Sequence, residues 1–168
     1  MRKFWILMLL SVFAACQDGE NVLSDFTGTE VTYALQPGSV YPVSGTVTFK
    51  EKKNGTVLVV VALVGTEGNV LHPVHLHLGD IATPDADIAA LLNPVKGSTG
   101  VSETVLERLA DETPITYTAL TGLNACIKIH LADSGPDRDI ILAGGNIGNA
   151  LDIAPGRGRT EFGVCKSE

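Results

Sequence analysis

The sequence predicts an all-β domain, a sandwich or barrel, on three observations. Short runs rich in Val, Ile and Thr alternate with turn residues. Glycine numbers 18 and proline 8 in 168 residues, so the chain turns often. Aromatic residues are only 5%, which leaves a core of Val, Ile, Leu and Ala.

The order of elements follows from that punctuation. The opening "MRKFWILMLLSVFAAC" places Arg2 and Lys3 before an apolar run from Phe4 to Ala15. Such a run is too short to span a bilayer and reads as a secretory signal over residues 1–15. Ala14 and Ala15 before Cys16 look like a bacterial lipobox, with Phe13 where that motif prefers Leu. Cys16 is then the lipidation site, and the expected location is the bacterial cell envelope, periplasmic or outer-membrane, with the membrane engaged through the anchor. The alternative is an ordinary signal cleaved nearby. Residues 16–30 are polar and acidic and read as the lipidated Cys and a flexible tether. One domain is expected over residues 31–168.

Within that domain the clearest hairpin is "GTVTFKEKKNGTVLVVVAL", where Asn54-Gly55 suits a two-residue type I′ turn. Further strands are expected at Pro73–Leu78, Ile115–Leu120, Ala125–Leu131, Asp139–Leu142 and Thr160–Val164. "DADIAALLNP" reads as a helical turn or two, and "SETVLERLAD" as an amphipathic helix or a strand. With Cys16 assigned to lipid, Cys126 and Cys165 remain as an even pair in an oxidising compartment. A disulfide between them would close a loop of about forty residues and stabilise by roughly 3–4 kcal/mol; two buried thiols are the alternative. The acidic balance, 12 basic against 19 acidic residues, argues against nucleic acid as a partner.

The chemistry concentrates in the histidines. Three of the four lie in "HPVHLHLGD" and the fourth in "NACIKIHLAD". Side chains alternate faces along a strand, so Val74, Leu76 and Leu78 share the core face while His75 and His77 point outward. Likewise Ile127, Ile129 and Leu131 face the core, and Cys126, Lys128 and His130 face out. His72 has the opposite parity to His75 and precedes Pro73, which places it at a strand start or bulge. Isolated surface histidines are usually only solvated side chains. Three that converge from two strands make a metal site, and their ring nitrogens must then approach within about 4 Å of one another.

These segments, with "SGTVTFKEKKNG", "LLNPVKG" and "AGGNIG", resemble the copper/zinc superoxide dismutases in order from Ser44 to Gly148. The resemblance implies a Greek-key β-sandwich or barrel with copper on its outer face. It makes His75, His77 and His130 metal ligands and His72 a brace behind them. Copper is the expected ion, zinc the alternative. The chain departs from that family where Leu91 occupies the position of the metal-bridging histidine, and no zinc ligands follow between Val95 and Thr113. Arg157 or Arg159 are weak candidates for the arginine that attracts superoxide. A second resemblance, to chordin-type CHRD domains, implies the same architecture without catalysis. The expectation is therefore a copper-binding, superoxide dismutase-like lipoprotein domain with weak or absent turnover, or a non-catalytic envelope module.

Overall fold

The computed structural model describes residues 24–153 and 162–163. They form a closed antiparallel barrel of eight strands: β1 (Phe26–Pro37), β2 (Ser44–Lys52), β3 (Val57–Val64), β4 (Leu71–Leu78), β5 (Ile88–Lys96), β6 (Val101–Leu106), β7 (Asn124–His130) and β8 (Ile141–Gly148). Around the barrel the order is β1-β2-β3-β6-β5-β4-β7-β8, closed by pairing of β8 with β1. Two connections, β3 to β4 and β6 to β7, each pass over two strands. The second carries a short helix, α1 (Tyr117–Thr121).

Alternation fills the interior. Tyr33 and Leu35, Val47 and Phe49, Val57, Val59, Val61 and Leu63, and Val74 and Leu76 all point inward and are buried. Ile127, Ile129, Ala143 and Ile147 complete the core from β7 and β8, and Leu120 of α1 plugs it. The predicted core faces of β4 and β7 hold for Val74, Leu76, Ile127 and Ile129. Leu78 departs from the expectation: at the strand end it is 42% exposed.

Several elements differ from the sequence expectation, each for a local reason. The first strand begins at Phe26, inside the segment assigned to the tether over 16–30, rather than near Val31. Residues Thr27 to Glu30 are exposed and the register with β2 shifts between Phe26 and Glu30, so this stretch carries no apolar period. Four residues rather than two, Lys53 to Thr56, join β2 to β3, and Lys52 N donates to Thr56 O at 3.0 Å across the turn. Gly55 N donates to Lys52 O at 2.9 Å and only Gly55 takes positive φ, +88°, the pattern of a turn closed by a glycine bulge. Asn54 Oδ1 accepts from the backbone N and the hydroxyl of Thr56, fixing that geometry.

"DADIAALLNP" contributes β5 rather than helix. Its Asn93-Pro94 falls where the β4–β5 register slips between His72 and Val74, opposite Pro73. At this bulge neither proline breaks a ladder bond that regular pairing would need, and Asn93 N turns instead to Thr104 Oγ1 at 2.8 Å. Of "SETVLERLAD", the stretch "SETVL" lies in β6. The strand expected at Ile115–Leu120 is instead α1, capped by Thr116 Oγ1 accepting from Ala119 N and ended by Gly122. The 3-10 turn Pro136–Asp139 precedes β8, which starts two residues later than expected and runs on through Gly144-Gly145. The missing side chain at Gly144 gives room to the Phe162 ring and Ile81, whose atoms lie 2.8 and 3.0 Å from where a Cβ would stand. The strand expected at Thr160–Val164 falls largely outside the described residues.

Phe49 is 1% exposed and packs its ring against Tyr33 at 5.5 Å between centroids. Phe49→Ala is expected to destabilise the domain by about 3–5 kcal/mol. Urea denaturation followed by circular dichroism checks this, and a loss under about 1 kcal/mol would contradict the packing described.

Candidate metal centre

The site is assembled where β4 and β7 run side by side. His75 faces Lys128, and His77 faces Cys126, across the β4–β7 ladder; on the other side Leu91 of β5 faces His75. His130 ends β7 on the same outer face. Its ring centroid lies 4.6 Å from that of His75 and 6.3 Å from that of His77, and those two rings are 5.6 Å apart.

The predicted outward parity is correct, yet outward does not mean exposed. His77 is 1% and His130 3% exposed, while His75 is half-buried. Two loops fold back over the outer face and cover them. The loop after His77 returns so that Ala86 O accepts from His77 Nδ1 at 2.7 Å. The loop after His130 does the same, with Arg138 O accepting from His130 Nδ1 at 2.7 Å. Each carbonyl fixes its ring's tautomer, with the proton on Nδ1 and the lone pair on Nε2. In His130 that Nε2 is buried and has no hydrogen-bond partner among the described residues.

One ligand nitrogen from each of His75, His77 and His130 lies within 4.8 Å of the others. Nitrogens about 2 Å from a shared ion are at most about 4 Å apart. The three are therefore close enough to bind one metal ion, with an inward movement of under an ångström. An orphaned buried Nε2 fits such a role, because an unpaired buried acceptor otherwise costs about 1–3 kcal/mol. Copper and zinc both accept such a donor set.

The loop over His77 is pinned by polar contacts. Asn146 on β8 accepts from Ile81 N at 2.7 Å and donates to Asp80 Oδ2 at 2.7 Å. Lys128, wholly buried, donates from Nζ to Gly163 O at 2.7 Å and reaches Thr83 O at 3.5 Å. Gly163 N in turn donates to Ile81 O at 3.0 Å. Lys128 thus fastens residues 162–163 onto the loop that holds His77. Sequence reading missed this role; the signal was a lysine among apolar residues in "ACIKIHL".

His72 is 4% exposed on the opposite parity, and its Nδ1 lies 3.1 Å from Leu131 O, next in the chain to His130. It thus holds the backbone beside a candidate ligand. Cys126 is wholly buried. Cys165, its expected disulfide partner, lies outside the described residues, as do Cys16, Arg157 and Arg159. Among the described residues, Arg138, half-buried on the loop over His130, lies near enough to act on His75 by its charge. A separate cleft of about 220 Å³ beside β1 and β8, lined by Gln36, Gly144, Asn146 and Phe162 among others, contains none of the histidines.

Burial keeps the imidazoles neutral. It lowers His75 to about 4, helped by the neighbouring charges of His130, His77 and Arg138. Burial also lowers His77 to about 4 against the opposing bond to Ala86, with Lys128 and His130 assisting. His130 is lowered as well, chiefly by burial. A neutral imidazole is the form that ligates metal. Since His75 and His77 take up protons near pH 6.5 in the unfolded chain and only near 4 in the folded one, stability must fall as pH drops from about 6.5 to 4. Imidazole resonances followed by NMR should titrate near pH 4 for His75 and His77, and titration near 6.5 would contradict the enclosed site. In comparison with known proteins, the chain matches no family model, no curated protein and no solved structure.

Proposed function

We propose that this domain binds copper through His75, His77 and His130, in a superoxide dismutase-like barrel whose redox turnover is weak or absent. The observation that carries the reading is the convergence of three neutral imidazoles on one point, two of them locked by backbone carbonyls. Copper heads the divalent affinity order for nitrogen donors and is also held as Cu(I); zinc is the competitor.

The fold supports the resemblance. Strands β7-β4-β5-β6 lie in the order of a four-strand Greek key, three hairpin-connected strands with the fourth returning beside the first. The candidate ligands sit on the outer face, where the superoxide dismutase resemblance implies them. His72, bonded beside His130, fits the bracing histidine. Arg138 offers the site a cation.

One observation favours the non-catalytic reading, a CHRD-like metal-buffering or structural module of the envelope. Leu91 is the β5 residue facing His75 and is 68% exposed. A histidine there would reach the same ion, and a leucine supplies neither a fourth ligand nor a proton relay. Lipidation at Cys16 and an envelope location belong to this proposal as the setting in which the domain works.

Titration of the mature protein with Cu(II) and with Zn(II) is expected to show sub-micromolar binding at one equivalent. His75→Ala and His130→Ala should weaken it at least about tenfold each. No sub-micromolar binding of either ion by the parent would remove the metal reading. A superoxide-consumption assay on the copper-loaded protein then separates enzyme from binder. Rates near buffer are expected for the parent, and a gain in Leu91→His would support the match of that position to the bridging histidine.

A further inference from the structure

The three candidate ligands are not held alike. His77 and His130 are almost fully buried, and each Nδ1 donates to a carbonyl of its own returning loop. His75 is only half-buried, and none of the described residues holds its ring by a hydrogen bond. Its neighbour across β5 is the exposed Leu91. His77 faces Ile88, which is 39% exposed. Two arms are therefore fixed in place and covered. The third stands at the open side, beside an apolar rim.

From this asymmetry, and resting on the metal-binding reading above, we propose that the site passes its ion to a partner, with His75 as the exchangeable ligand. The ion stays anchored to His77 and His130 while a donor group from outside, an imidazole or thiolate, approaches over Leu91 and Ile88. One bond from the ion to His75 breaks as one bond to the incoming donor forms, and no electron moves. His75 rotates outward into solvent at little cost, because its ring gives up no hydrogen bond to the described residues. A ring locked like that of His77 would lose a buried bond and leave a carbonyl unpaired. The partner is a metal-accepting protein that presents such a donor beside an apolar contact surface. The absence of a fourth histidine at position 91 is then the feature that leaves the path open.

The test is transfer of the bound ion to a colorimetric chelator. It uses whichever ion the titration shows bound more tightly, Cu(II) or Zn²⁺, each read with 4-(2-pyridylazo)resorcinol. Transfer from the parent should rise linearly with chelator concentration. His75→Ala, with the position already vacated, should retain one equivalent at raised protein concentration and transfer at least about tenfold faster. Leu91→His, on an exposed site that tolerates it, should slow transfer by a similar factor. His77→Gln and His130→Gln should lose the ion rather than merely exchange it faster, with circular dichroism showing that they remain folded. A rate independent of chelator, or equal losses of affinity at all three histidines, would overturn the exchange role while leaving metal binding intact. Absence of binding in the parent would instead remove the reading on which it rests.

Discussion

The carbonyl oxygens of Ala86 and Arg138 decide what this outer face is. A histidine on the outside of a barrel is by default a solvated side chain with either tautomer and a mobile ring. Here two loops turn back after their strands and present one carbonyl each, so that two rings lose water, tautomeric freedom and rotation together. Loss of water lowers their proton affinity, and loss of rotation aims Nε2 at a common point. The pinning of the loop over His77 by Asn146 and Lys128 matters because that carbonyl is useful only if the loop is fixed.

Much of this was legible in the sequence, and what was not depended on contacts made far along the chain or at element ends. Parity along β4 and β7 correctly separated Val74, Leu76, Ile127 and Ile129 from His75, His77 and His130. The same parity placed Lys128 and Cys126 on the outside, which is right, yet both are wholly buried there. Alternation reports the face of a sheet but says nothing of a loop that later lies down on that face. The helix α1 was hidden similarly: its β-branched and aromatic residues suggested a strand. The Thr116 cap and Gly122 stop outweighed them once Leu120 found a place in the barrel end. In β5 the proline misled, because a bulge shared with Pro73 absorbs it.

The two kinds of ligand also reconcile the two functional readings. A redox enzyme cycling an ion in place gains from rigid ligands all round, including the position that Leu91 occupies. A carrier gains from uneven ones. The structure has locked rings on the covered side and an unlocked ring on the open side, which suits holding an ion firmly enough to keep and loosely enough to give. The acidic balance of the chain is compatible with a cationic cargo.

The crossing connections bear on how such a protein comes into being. His77 and His130 belong to strands that are neighbours in the barrel but are separated along the chain by β5, β6 and the helical connection. Contacts so distant along the chain form slowly, and barrels dominated by them fold on the millisecond-to-second scale. An unfolded or half-folded chain offers the H-x-H pair alone and can compete for metal only feebly. An ion that demands all three imidazoles therefore recognises the finished barrel. Under the proposed metal binding, an ion held by all three would shift the equilibrium toward that state by mass action, so that occupancy would itself report which molecules have folded.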